Sequence, residues 1–358
     1  MVKCVKQCSS DEIAEVLRGE LNGGRYRVGT TLPSVDALRK RFGAGEYAVR
    51  SAIRKLHDEG LVAVTKHVGA VVTEKSAFAW KGHVAFVHTS TCCSYFTQRI
   101  ALQLSRRFEA AGWTMHLVFL EASTDGRIDV EPLMRHVSAG LDFVIVLSEF
   151  RQIASLLDRA SVPYVMLNGF TRNFPNAHAV IREETEECYA ALIRAMKKRG
   201  VKTILEIDYD RRMDRSFKLQ LADAGIAVWR ELCKWDNESA HNLSDVKLLG
   251  HRAVARYLSR RSGQAHLPDV VLFDDDYQAA GGIVAILEAG LRIPDDIGVV
   301  VAFSNRGNEL VADKPFARIE IDSVSYGNAV AKYVLAILAG RRVAPPCVKL
   351  RFILGKSL

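Results

Sequence analysis

The sequence predicts an α/β chain in two parts: a short helical segment closed by a hairpin, then two lobes in which strands and helices alternate. Three observations carry this. Residues 29–72 hold two helical patterns separated by Gly43-Ala44-Gly45 and followed by two β-branched runs. From His83 onward, continuous apolar runs alternate with amphipathic helices, as in a parallel sheet covered on both faces. That alternation occurs as two successive series, which predicts two lobes.

The first helix is predicted over Ser9 to Asn22. Ser9 and Glu12 form a capping box, and Ile13, Val16, Leu17 and Leu21 form its buried stripe. Pro33-Ser34 starts a second helix, with Ser34 as N-cap, Leu38 and Phe42 as its apolar face and Gly43 as its end. In the third, Val49, Ala52, Ile53 and Leu56 recur at helical spacing, and Gly60 is the stop. Val62, Val64, Ala70 and Val72 read as two short strands joined at Lys66-His67-Val68-Gly69. Helix, tight turn, helix and hairpin make a winged helix-turn-helix. Tyr47, Arg50 and Arg54 lie on the opposite face of the third helix. A helix of this width fits the major groove, and arginine can bridge phosphates or a guanine edge. On an isolated helix such arginines would be a solvated face; the surrounding turn and hairpin favour DNA. The hairpin tip offers Lys66 and His67 to the backbone or minor groove.

Leu32-Pro33-Ser34, Val49-Arg50, Glu59-Gly60-Leu61 and the wing glycine Gly69 resemble, in spacing, the GntR family of bacterial regulators over roughly Asp11 to Thr73. The resemblance implies double-stranded operator DNA as partner and carries Ser34, Arg50 and Gly69 over as contacts. The family usually has basic residues where this chain has Asp36 and Glu46, so its commonest operator is not expected here. Glu46 either accepts from a cytosine or pairs with Arg50 one turn on.

Composition sets bounds. The length suits two or three domains with sizeable cores, and almost half the residues are apolar. No apolar run reaches a membrane span and no signal-peptide core opens the chain, so a cytoplasmic protein is expected. The cysteines, Cys4, Cys8, Cys92, Cys93, Cys188, Cys233 and Cys347, form no zinc-type spacing with histidines and read as reduced thiols; no metal or cofactor is expected. A thiol sensor at Cys92-Cys93 is the alternative. Of the net charge of +8, residues 1–80 carry thirteen Lys or Arg against nine Asp or Glu, a net of +4. That excess leans toward a polyanion.

The expected domains are 1–73 for DNA binding, 74–82 as a linker and 83–358 for effector binding. In the first lobe, strands are predicted at 83–88, 114–120, 143–147 and 163–167, with helices at 96–110, 130–138 and 152–160. In the second, helices are predicted at 187–199, 215–224, 246–259 and 278–289, and strands at 203–207, 227–232, 270–273 and 298–303. A final helix is read at 327–340 and a last strand at 348–354. Ligands of such sheets bind beyond the carboxyl ends of the strands, here in the cleft between lobes.

Several stretches carry a second resemblance: Ser94-Tyr95-Phe96 after the first strand, Leu141 to Ile145, Val162 to Val165, Asp275-Asp276 before a helix ending Glu288 to Leu291, Ile293 to Ile297, and Ser304-Asn305. Together they resemble the ligand-binding domain of LacI-type regulators, itself related to periplasmic sugar-binding proteins, over about His83 to Leu354. This implies a two-lobed, periplasmic-binding-protein-like domain that takes a small polar effector, such as a sugar. It implies ligand roles for Asp275, where the family usually has Asn, and for Asn305. Tyr95 and Phe96 are placed to stack on an apolar ligand face, or, for Tyr95, to serve interface or core. Glu183 or Glu184 falls near an acidic family position. The family's pocket arginine aligns with Met213, leaving Arg212 as the candidate or as a solvated residue. Asp275 reads equally as a helix N-cap.

These readings imply a ligand-responsive transcription regulator, a homodimer with no catalytic residues. The alternatives are an α/β enzyme or a ligand-binding module. The sequence has no lysine-centred cofactor site, Gly-x-Ser-x-Gly, Walker loop or His-Glu-x-x-His.

Overall fold

The computed structural model describes residues 8–66, 68–74, 81–89, 94–121, 127–147, 151–167, 173–208, 214–233, 243–261, 266–308 and 315–358. The chain forms two compact units. One comprises Met1–Val84, Ser105–Met115 and Leu335–Arg342; the other comprises Ala85–Leu104, His116–Val334 and Val343–Leu358.

Within the first unit, α1 (Ser10–Asn22) opens on the expected capping box: Glu12 N–H donates to Ser9 Oγ, and Ser9 N–H donates to the Glu12 carboxylate. Its buried residues are Ile13, Ala14, Leu17 and Leu21. Val16, expected in that stripe, is 45% exposed. At about 100° per residue, Ala14 lies nearer than Val16 to the centre of the arc set by Ile13, Leu17 and Leu21. Helix α2 (Val35–Phe42) is capped by Ser34 and ends at Gly43, whose φ of 59° is left-handed. Helix α3 (Glu46–Asp58) buries Val49, Ala52 and Leu56, with Ile53 packed at the margin.

Strands β1 (Val62–Thr65) and β2 (Gly69–Val72) pair antiparallel, with Val62 opposite Val72 and Thr65 opposite Gly69. Gly69 adopts φ 104°, a backbone that other residues avoid. Val64 lies in β1 as read from the sequence and is 56% exposed, because the hairpin extends beyond the three-helix core. A feature not anticipated is a third edge: Thr31 bridges Val71, and Leu32 N–H donates to Ala70 O at 2.8 Å. The wing is thereby tied to the segment entering α2.

The larger part of the chain alternates as expected. Its first series is β3 (Gly82–Thr89), α4 (Tyr95–Ala110), β4 (Trp113–Leu120), α5 (Glu131–Ser138), β5 (Phe143–Leu147), α6 (Arg151–Ala160), β6 (Tyr164–Leu167) and β7 (Ala179–Ile181). The sheet order is β4-β3-β5-β6-β7, with β5, β6 and β7 paired in parallel. Val87, Val118, Leu133, Val146, Ile153 and Met166 share one apolar core there.

The second series begins with β8 (Glu183–Glu184), α7 (Glu186–Lys198), β9 (Thr203–Asp208), α8 (Arg215–Asp223) and β10 (Ala227–Leu232). It continues through α9 (Leu243–Arg261), β11 (Val270–Phe273), α10 (Asp276–Glu288), β12 (Gly298–Asn305), β13 (Ala317–Ile321) and α11 (Ser323–Leu338). It closes with β14 (Val348–Lys349) and β15 (Arg351–Ile353). The sheet order is β10-β9-β11-β12-β13-β15, parallel except for β15. The expected single last strand is in fact two: Val348 pairs with Glu183 on β8, while Arg351–Ile353 joins β13. β7, β8 and β13 were not read from the sequence, being short or irregularly patterned.

Helices α9 and α10 touch backbone to backbone. A Cβ on Gly281 would overlap the Lys247 carbonyl, and one on Gly250 would overlap the Gln278 carbonyl. Glycine at both positions is what lets the two helices pack so closely, and Gly282 leaves room for the Phe273 ring of β11.

Candidate functional site

Two places on the chain combine chemistry with exposure or unmet hydrogen bonding. The first is the outer face of α3. Burial of Val49, Ala52 and Leu56 on the inner face turns Glu46, Tyr47, Arg50 and Arg54 outward. Tyr47 is 87% exposed, far beyond what a packing role for the ring would give. Arg50 does not stand alone: its Nε–H donates to Glu46 Oε1 at 2.8 Å. Of the two fates open to Glu46, pairing with Arg50 is therefore the one realised in the free protein. Asp36 pairs with Arg39, three residues on, at 3.2 Å. Ser34 caps α2, its Oγ accepting from Ala37 N–H at 3.2 Å. Lys66 is exposed on the hairpin beside Gly69, and His67 lies outside the described residues.

The second place lies where β11 and β12 end. The first turn of α4 brings Tyr95, Phe96 and Arg99 to it. Tyr95 N–H donates to the Tyr277 hydroxyl at 2.8 Å, and a Cβ on Gly307 would stand 3.0 Å from the Tyr95 hydroxyl. The Arg99 guanidinium lies over the Tyr95 ring, 5.7 Å from its centre. Phe96 is buried, its ring meeting Phe303 and Tyr326 edge-on at 5.5 and 5.6 Å. Tyr95 thus faces Tyr277 and Gly307, while Phe96 builds the apolar floor beside them.

Asp275 is the N-cap of α10: Oδ1 accepts from Tyr277 N–H at 2.8 Å and from Gln278 N–H at 2.9 Å. The carboxylate that goes inward is its neighbour. Asp276 is 2% exposed, and its Oδ2 accepts from Asn305 N–H at 2.8 Å and Asn308 Nδ2 at 3.0 Å. Asn305 is 5% exposed, with Nδ2 turned to the same oxygen at 3.5 Å. Burial pushes the Asp276 carboxyl above the usual carboxylate range, and the hydrogen bonds from Asn305, Ser304 and Asn308 pull part of the way back.

The neighbourhood holds unmet hydrogen-bonding capacity. Among the described residues, Asp276 Oδ1, Asn305 Oδ1, the Tyr326 hydroxyl and Arg99 Nε are buried without a partner. An unsatisfied buried polar group costs about 1–3 kcal/mol. Two are acceptors, one is a donor and one can be either, so the arrangement suits a molecule with several groups that both donate and accept.

The chain thus brings Tyr95, Phe96 and Asn305 to one place, with Asp275 at its border. Arg212 lies outside the described residues. Glu183 is half-buried and its carboxyl is pushed up by that burial, whereas Glu184 is exposed. Asp276, Asn308, Arg99, Tyr277 and Tyr326 were missed. Asp276 had a signal, an acid immediately after the capping residue; the others had none that spacing reveals.

Comparisons with known proteins bear on both parts of the chain. The model of the bacterial regulatory proteins of the gntR family matches residues 9–72. That of the periplasmic binding protein-like domain matches residues 193–358. The HTH-type transcriptional repressor MelR of Bacillus subtilis (strain 168) is 28% identical over 107 residues, covering 29% of this chain and 31% of MelR. The chain therefore spans about a third of that relative's length. Among solved structures, the lac repressor dimer bound to operator and the anti-inducer ONPF has a TM-score of 0.61 at 17% identity, covering 77% of this chain and 93% of that one. A LacI family transcriptional regulator from Arthrobacter sp. FB24, in complex with lactose, has a TM-score of 0.60 at 17% identity, covering 77% and 99%. The LacI family regulator CCPA from Weissella paramesenteroides with bound glucose has a TM-score of 0.60 at 14% identity, covering 77% and 98%. At such identities the likeness is one of fold.

Proposed function

We propose that this chain, which matches the gntR family over residues 9–72 and the periplasmic binding protein-like domain over residues 193–358, is a regulator that controls transcription in response to a small polar, sugar-like effector. Residues 1–73 bind the operator, 74–82 link, and 83–358 bind the effector; the working form is a cytoplasmic homodimer. Operator contacts come from Ser34, Tyr47, Arg50, Arg54, Lys66, His67 and Gly69. Tyr95, Phe96, Arg212, Asp275 and Asn305 serve the effector, joined by Asp276.

The observation that carries the effector reading is the group of partnerless polar atoms on Asp276, Asn305, Tyr326 and Arg99 beside an aromatic floor. Hydroxyl groups, each donor and acceptor at once, satisfy all four, and a sugar's apolar face suits Tyr95. The lactose and glucose bound to two of the fold neighbours support the same class. Regulation follows if the effector binds one lobe arrangement more tightly, since a ligand shifts an equilibrium only by its differential affinity.

The test has two stages. Native mass spectrometry of the purified protein, with a screen of mono- and disaccharides, identifies a bound molecule. Selection from random duplexes then yields an operator whose affinity is measured with and without it. A sugar that binds and shifts operator affinity supports the proposal. Operator binding indifferent to every ligand that binds the protein would overturn it.

A further inference from the structure

The exposed face of α3 carries a carboxylate where a DNA-reading helix has most to lose from one. Glu46 stands in the first turn, 53% exposed, on the same face as Arg50 and Arg54. Near phosphates a negative charge opposes binding, and an exposed i,i+4 pair adds little to the stability of a helix. Stability of α3 is therefore a weak reason for the residue to be there.

The geometry gives a better one. Glu46 Oε1 takes the Nε–H of Arg50, not a terminal nitrogen. A guanidinium is planar, so fixing Nε–H fixes the plane and the direction of Nη1 and Nη2. Among the described residues, those two nitrogens have no hydrogen-bond partner, and they form the end of the fork that matches guanine O6 and N7. Arginine has many rotamers to lose, and a fork held beforehand loses fewer of them on contact.

We propose that Glu46 is a positioning residue for DNA reading: it holds Arg50 with its terminal nitrogens toward a guanine edge, gaining base discrimination while lowering affinity for DNA in general. This rests on α3 being the DNA-reading helix. The usual trade is reversed, since a basic residue here would add phosphate contact without aiming anything. Glu46 touches no base; it acts through Arg50.

The two contributions have opposite signs and so separate in experiment. Wild type, Glu46→Ala, Glu46→Gln and Arg50→Ala are compared on the selected operator, on the same operator with each guanine replaced in turn, and on random duplex at several salt concentrations. Arg50→Ala is expected to abolish preference at one guanine. Glu46→Ala is expected to lower preference at that same guanine by about twofold, as much as one exposed i,i+4 pair can bias the free fork. It should also raise affinity for random duplex. Glu46→Gln keeps an acceptor for Nε–H without the charge, so it should retain most of the preference while sharing the gain on random duplex. Circular dichroism of each variant checks that α3 is intact. Undiminished preference in Glu46→Ala, with Arg50→Ala still losing it, overturns the positioning role alone. If neither Arg50→Ala nor Arg54→Ala alters binding to the operator, the assignment of α3 to DNA fails, and the proposal with it.

Discussion

At the scale of single residues, the effector site turns on which of two adjacent aspartates does what. Asp275 is committed to two backbone N–H groups at the start of α10. Asn caps about as well as Asp, so Asp275→Asn should leave the melting temperature of the free protein nearly unchanged, while Asp275→Ala should cost about 1 kcal/mol. Calorimetry with the identified effector then shows whether Asp275 also binds it; unaltered affinity in Asp275→Asn would confine it to capping. Asp276 behaves differently. Its folded pKa is raised, chiefly by burial, so the carboxyl's stability contribution is complete below the usual carboxylate range and is lost as pH rises through the folded value. Asp276→Asn removes that charge while keeping an acceptor for Asn305 and Asn308. The variant should therefore melt higher than wild type near neutral pH, with the difference vanishing in acid. Its affinity for a hydroxyl-bearing effector should fall about tenfold, as a charge-assisted bond becomes a neutral one. A variant that melts lower than wild type at pH 7 would count against the burial cost.

At the scale of elements, α3 and the α9–α10 pair each make a distinct demand. The outer face of α3 is a contact surface, so Arg50→Ala combined with Arg54→Ala should weaken operator binding. Its salt dependence should flatten by about one unit of slope for each phosphate the arginines no longer neutralise. Fluorescence anisotropy across a salt series measures both. The interface between α9 and α10 is a packing demand. Ala at 281 must displace the Lys247 carbonyl of the facing helix, and backbone yields far less readily than a side chain. Overpacking of this kind costs about 1–3 kcal/mol or more, so Gly281→Ala should lower the melting temperature by several degrees. Because α10 also presents Asp275, Asp276 and Tyr277, the same change should weaken effector binding. Scanning calorimetry and titration on one preparation would show whether the two losses travel together.

For the whole molecule, function depends on how many copies act. One winged helix makes a small footprint, and paired half-sites multiply it. The protein is expected to be a homodimer by light scattering at micromolar concentration, with operator half-sites related by a dyad. A monomer with and without operator would contradict this. Among the described residues no helix is long and apolar enough to cross a membrane.

Local rules carried a large share of this chain. Ser9 with Glu12, Ser34, Gly43 and Gly69 act within a few residues of themselves, so capping and turn chemistry placed the helices and hairpin of residues 1–73 from sequence alone. Strands Phe143–Leu147 and Val270–Phe273 are continuous apolar runs between helical patterns, and they were read to the residue. Tertiary structure decided what depends on distant partners. β8 exists because Val348 and Lys349, far along the chain, supply its hydrogen bonds, and no short-range pattern announces that. Asp276, not Asp275, turns inward because Asn305 and Asn308 from the end of β12 wait there as donors. A run of three aspartates at residues 274–276 is ambiguous in one dimension. It becomes definite only when the sheet sets one strand end beside another, because burial and hydrogen bonding act through space and not along the chain.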